Sequence, residues 1–343
     1  TLDLAAGLAR QGIEVLVASL GPRPSPEQKR QLLRIPGAAL RESDFALEWM
    51  PEPWRDVDAS GEWLLALHSE FSPDLIHLNG YAHAALPWSK PILVMAHSCV
   101  CSWWRAVHGC LPGSEWEEYK RRVVRGLHAC DAVAAPSAFM ANAIEREYGL
   151  PAAEICVIHN FSRIRVCAGE AKQPFFLAAG RVWDAAKNFQ LLDRIAGRLS
   201  WEIRIAGALT YARLQREMAR AGVFVHPALY EPFGLSVLEA ARHRCALVLS
   251  DTPSLRELWD HAALFVDPRD QDRWIFELNR LGGNRPARDN LARLAHSRAA
   301  QYRAASAIRQ YLALYSTLLS EPRPSGSGCD SFLGTNRAKG AAA

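Results

Sequence analysis

The chain has 343 residues, 49% hydrophobic and 22% charged, which excludes a disordered or fibrous polymer and leaves room for two domains of ordinary size. A net charge of +4 is compatible with an anionic ligand or a membrane surface, and too small to argue for nucleic acid. No apolar run approaches the ~20 residues of a membrane span, no signal segment opens the sequence, and eight scattered cysteines form no disulfide framework, so it reads as a reduced, cytoplasmic protein.

In chain order, Leu4 and Leu8 lie one turn apart and predict a helix over 2–10, followed by a strand over 13–18. A doubly wound sheet that opens on a helix is odd, because that helix normally follows a first strand. Residues 21–70 are mixed, with helices expected over 26–33 and 61–69. A strand over 73–79 runs into Gly80, and a buried strand over 91–96 carries His97 at its carboxyl end, where open α/β sheets place their ligands. Trp103 and Trp104 then fall in a connecting segment, before a helix over 114–128 bearing Lys120, Arg121, Arg122 and Arg125. The tryptophans would wall an acceptor and the basic helix would meet phospholipid or a lipid diphosphate; the plainer reading is a solvated basic face over packed rings. Cys99, Cys101 and Cys110, flanked by His97 and His108, have an uncommon spacing for a zinc site. A strand over 131–135, an N-cap at Ser137, a helix over 138–148 stopped by Gly149 and Pro151, and a strand over 155–160 complete this half. The polar stretch 163–173 is the natural linker.

The second half opens with a strand over 174–179 that ends in Gly180-Arg181; Asp184 and Lys187-Asn188 follow, then a helix over 189–198. Cations at a strand end and a helix start are not C-terminal dipole partners; they suit a diphosphate, Arg181 as a fork of donors and Lys187 as a point charge. After a strand over 203–206, a helix over 211–218 and a strand over 223–225 comes the stretch from Tyr230 to Ala241. Pro232 and Gly234 break regular structure there, and a helix starting near Gly234 or Leu235 points unpaired N–H groups into the turn, a seat for an anionic oxygen. Glu231 and Glu239 bracket that turn, and ionised carboxylates accept sugar hydroxyls well. The stretch is a site for a molecule with both phosphates and sugars, or else an acidic loop before a surface helix. A strand over 246–250, a short helix from Pro253 and a strand over 264–268 precede helices to about residue 319. Residues 321–343 are rich in Pro, Gly, Ser and Ala and read as a disordered tail.

Glu231 to Glu239, EPFGLSVLE, resembles the Glu-x7-Glu signature of family-4 retaining glycosyltransferases. That resemblance implies an α/β GT-B fold, two Rossmann-like domains facing across a cleft: an acceptor-side domain over 1–165, a nucleotide-sugar domain over 166–305, and a helix over 306–320 returning to the first. It gives Glu231 the donor sugar, Glu239 the ribose hydroxyls, and Phe233, Gly234 and Leu235 the sugar and diphosphate. It likewise puts His97 against the donor sugar and gives Gly180-Arg181 and Lys187 the diphosphate. Residues 73–77 resemble the family's Pro-Asp-x-x-His, and 157–161 its Val-Ile-Pro-Asn-Gly with His159 for Pro and Phe161 for Gly. Two segments depart from the pattern. The first strand with its Gly-rich loop does not appear, either because the sequence begins after it or because it has been lost, and one βα unit after residue 207 is absent.

The function expected is transfer of a hexosyl group from a UDP-, GDP- or ADP-sugar to an acceptor hydroxyl, with glycan or lipid-linked acceptors as the implied class. The resemblance implies no cofactor and no metal, and neither nucleic acid nor a span is expected; contact with the inner face of the membrane is. The alternatives are a catalytically impaired nucleotide-sugar-binding protein and a nucleotide-sugar epimerase. A nicotinamide dehydrogenase would need a Gly-x-Gly-x-x-Gly turn after a strand, and the sequence has no such turn.

Overall fold

The structure, a computed structural model, describes residues 1–164, 170–207 and 209–320. Part of the expected linker, the boundary at 165/166 and the expected tail 321–343 lie outside the described residues.

The first half contains α1 (Leu2–Ala9), β1 (Val15–Ser19), α2 (Pro26–Leu33), β2 (Ala38–Glu42), α3 (Trp54–Phe71), β3 (Ile76–Leu78), β4 (Ile92–Met95), α4 (Val100–His108), α5 (Glu117–Ala129), β5 (Ala132–Ala135), α6 (Ala138–Tyr148) and β6 (Ile155–Val157). Local chemistry sets many of the bounds. The Ser137 hydroxyl accepts from the Met140 N–H at 3.2 Å to start α6, and Gly149, at φ +79°, ends it. α3 begins well before residue 61 because its buried face runs Val57, Ser60, Gly61, Leu64, Leu67, and the small middle pair conceals the helical period. The segment with Trp103 and Trp104 is not a connection but the helix α4, started by Cys99 as its N-cap. Two of the four cations of α5 are paired: Glu118 takes Arg121 and Arg122, and Asp58 also takes Arg122.

Strands β3-β4-β5-β6 form one parallel sheet, while β1 and β2 pair only with each other. Between β1 and β3 opens a cavity of about 1670 Å³, lined by Val15 to Ser19 on one side and Ile76 to Leu78 on the other. No described residue supplies a strand there. Two parallel edges face each other there with no ladder between them among the described residues.

The second half contains β7 (Gln173–Ala179), α7 (Phe189–Ile195), β8 (Glu202–Ala206), α8 (Tyr211–Arg220), β9 (Ala221–His226), α9 (Leu235–Arg242), β10 (Ala246–Ser250), α10 (Pro253–Trp259), β11 (Leu264–Val266), α11 (Gln271–Gly283), α12 (Arg285–Ala299) and α13 (Ala304–Ser320). Its sheet, in the order β11-β10-β9-β7-β8, is parallel throughout and covered on both faces by helices, as parallel sheets require. With the βα unit after residue 207 absent, β8 is left as an edge. α13 packs on the first domain with Leu8, Met95 and Ala134, and its Tyr315 hydroxyl shares a 2.6 Å hydrogen bond with His77 Nδ1.

Candidate active site

Strand β9 delivers the chain to residues 227–234, which touch both domains. Tyr230, 4% exposed, shares hydrogen bonds with Ser102 Oγ (2.7 Å) and Ser98 Oγ (3.2 Å) of the first domain. Ser137 Oγ donates to the Pro232 carbonyl at 2.7 Å. Glu257 of α10 accepts from the N–H groups of Ala138 and Phe139 at the start of α6 (2.8 and 2.7 Å). The signature turn is therefore held by the neighbouring domain as well as its own.

Gly234 is the N-cap of α9 at φ +84°, a conformation that favours glycine, and a Cβ there would lie 3.1 Å from Val237 Cγ2. Its own N–H is spent on Glu231 Oε1 at 2.9 Å. The first intrahelical bond runs from Leu238 N to Gly234 O, so the N–H groups of Leu235, Ser236 and Val237 are the ones left for a ligand. Phe233 is buried against His159 and Tyr302, so it offers its backbone rather than its ring. Leu235 is 46% exposed and shares the large cavity with His97, which the first domain contributes.

Glu231 Oε2 receives Lys187 Nζ at 2.7 Å and His226 Nε2 at 3.1 Å. Burial pushes the Glu231 carboxyl up, but the Lys187 charge and the His226 bond outweigh it and hold it well below the usual range. His226 is fully buried and lowered by that burial; it faces Glu231 as a neutral Nε2–H donor, and its Nδ1 is buried without a hydrogen bond. The Lys187 stem passes Gly180 at the strand end, and a Cβ at 180 would crowd Phe189 Cζ, at 3.2 Å, more than Lys187, at 3.6 Å. Arg181 is arranged differently. Its guanidinium donates to Asp184 Oδ2 at 2.7 Å and stacks on Trp183, while Asp184 Oδ1 takes the Trp103 indole N–H across the cleft at 3.2 Å. Lys187 meets the signature turn; Arg181, its side chain 62% exposed, is bonded to Asp184 instead.

Glu239, 8% exposed, accepts from Ser162 Oγ (2.9 Å) and the Tyr211 hydroxyl (3.0 Å) on Oε1 and from Gln215 Nε2 (2.8 Å) on Oε2. Burial raises its carboxyl, and the three bonds offset that in part. His97 Nε2 lies 3.0 Å from Asn79 Oδ1, and burial pushes the imidazole down to about 4, so it is neutral near pH 7. Among the described residues no cluster of three or more metal-ligating side chains occurs; Cys99 instead bonds Ser102. No described helix is long and apolar enough to cross a membrane. Sequence reasoning missed His226, Ser162, Tyr211 and Gln215; of these only His226, a histidine closing an apolar strand five residues before Glu231, left a trace in the sequence.

Residues 1–162 match the family described as Glycosyltransferase Family 4, and residues 165–298 match Glycosyl transferases group 1. O-antigen chain mannosyltransferase B of Escherichia coli is 37% identical over 101 residues, 29% of this chain and 26% of that one. O-antigen chain mannosyltransferase RfbU of Salmonella typhimurium is 24% identical over 176 residues, 42% and 49% of the two chains. The chain thus spans less than half the length of either relative. Among solved structures, sucrose-phosphate synthase from Thermosynechococcus elongatus superposes with a TM-score of 0.74 at 17% identity, covering 92% of this chain and 91% of that one. Anabaena Alr3699/HepE in complex with UDP-glucose gives 0.70 at 14% identity, covering 92% and 94%. These likenesses show the GT-B fold, two Rossmann-like domains across a cleft. With both halves matched in order from residue 1 to residue 298, the chain belongs to glycosyltransferase family 4, glycosyl transferases group 1.

Proposed function

We propose that this protein moves a hexosyl group, with retention, from a nucleotide diphosphate sugar to an acceptor hydroxyl in polysaccharide or glycolipid synthesis. The observation that carries the reading is the 2.7 Å contact between Lys187 and Glu231 beside the unspent N–H groups of Leu235 to Val237. As the glycosidic C–O bond lengthens, negative charge grows on the diphosphate; Lys187 and the start of α9 supply the positive field that meets it. Arg181 joins them if the diphosphate draws it from Asp184. Glu231, with three of its roughly four acceptor sites filled, keeps one for a sugar hydroxyl. His97 contacts the sugar from the other domain, and domain closure excludes the water that would compete as acceptor. The mannosyltransferase relatives make mannose the first hexose to test and an O-antigen-like glycan the first acceptor class. The protein works in the cytoplasm or against the inner face of the membrane in this reading.

A second reading is a nucleotide-sugar-binding protein with little turnover, favoured by the three acceptor sites of Glu239 already filled from inside the protein. Labelled UDP-, GDP- and ADP-hexoses, incubated with and without acceptor, separate the two. The first reading expects release of nucleoside diphosphate that falls at least a hundredfold in Glu231→Ala. Turnover unchanged by that substitution would overturn it, and binding without turnover would favour the second.

A further inference from the structure

Glu239 has little room for a ribose. A carboxylate offers about four acceptor sites, and three are filled from inside the protein. Oε1 holds both Ser162 and Tyr211; Oε2 holds Gln215 alone and keeps one site. Two neighbouring ribose hydroxyls need two sites, so one internal donor must leave. Gln215 is buried and tied in turn to His243 at 2.7 Å. Ser162 is 2% exposed, and its carbonyl is bonded by Arg242. Tyr211 alone of the three is open, with half its surface exposed, in the first turn of α8.

A phenol hydroxyl standing where a ribose hydroxyl would bind puts its ring beside the place where the base must emerge. The neighbouring strand end adds apolar surface: Val182, 58% exposed, presses against Gly207 at the end of β8. Because one βα unit is absent, β8 is the sheet edge, and the helix that follows it, α8, opens on Tyr211.

Resting on the donor site proposed above, we infer that Tyr211 is the base-side binding residue: its hydroxyl holds Glu239 in place of a ribose hydroxyl, and its ring is the platform on which the base of the donor stacks. Stacking on an aromatic face tolerates any base, so UDP, GDP and ADP all gain from it, the purines most.

Isothermal titration of the full chain with UDP, GDP, ADP and inorganic pyrophosphate, in wild type, Tyr211→Phe and Tyr211→Ala, tests this. The expected result is that Tyr211→Ala weakens the nucleoside diphosphates by about tenfold or more and leaves pyrophosphate unchanged. Tyr211→Phe, which keeps the ring and frees an acceptor site, binds them as tightly as wild type or tighter. Undiminished nucleotide binding by Tyr211→Ala, an equal loss for pyrophosphate, or a Tyr211→Phe as weak as Tyr211→Ala would each overturn the inference while the donor site stood. If wild type bound none of the four, the donor site itself would fall, and the inference with it.

Discussion

Lys187→Met isolates the central ion pair. Both side chains are 13% exposed, and the charges lie 2.7 Å apart. At an effective dielectric near 20 they attract by about 6 kcal/mol, a gain set against the cost of burying each charge. Methionine keeps the apolar stem and leaves Glu231 ionised in a buried place, with the His226 and Gly234 N–H groups as its remaining donors. Removing one partner of such a pair costs ~3–5 kcal/mol, and two surviving donors put this case at the lower end, about 3 kcal/mol. For a domain of this size that lowers Tm by roughly 6–12 °C. The pH dependence has a definite sign. In wild type the folded Glu231 carboxyl lies below its unfolded value of 4.5, so its contribution is present above that pH and lost as pH falls below it. In Lys187→Met burial is no longer outweighed, the carboxyl titrates higher, and the deficit against wild type shrinks on acidification. Scanning calorimetry from pH 4 to 8 reads both effects. The double variant Lys187→Met/Glu231→Gln should recover most of the loss. A single variant within 1 °C of wild type, or a double no better than the single, would refute the reasoning.

Three further outcomes are expected. Tyr230→Phe removes the hydroxyl shared with Ser102 and Ser98, costs ~1–2 kcal/mol and speeds amide exchange at residues 98–102; unchanged exchange would show that this contact does not tie the domains. Burial holds His97 down to about 4 against 6.5 when unfolded, so its share of stability is whole above pH 6.5 and lost as pH falls toward 4. His97→Asn should flatten that acid slope of Tm without abolishing it, since His77, at about 3, and His243, at about 4, behave alike; an identical slope would contradict the burial. Transfer should persist in excess EDTA, because Lys187 and the N–H groups of α9 carry the charge stabilisation; a requirement for added Mg²⁺ or Mn²⁺ would contradict that.

Much of the site was legible because its chemistry is local. Pro232 and Gly234 force the turn, and the run of strands and helices fixes which ends face the cleft. What escaped depends on distance in the chain. The donors to Glu239 come from residues 77, 28 and 24 positions away, and no periodicity announces such a meeting. That Arg181 bonds Asp184, itself anchored by Trp103 from the other domain, was not legible either. Trp103 itself read as part of a connection because α4 begins on a cysteine N-cap, which no common start signal describes.

A crystal structure with a bound nucleoside diphosphate would test the account most directly, by locating the phosphates. The account predicts phosphate oxygens within hydrogen-bond reach of Lys187 Nζ and of the N–H groups of Leu235 to Val237, with the ribose on Glu239. Well-ordered nucleotide bound elsewhere, with the Lys187–Glu231 turn empty, would contradict it.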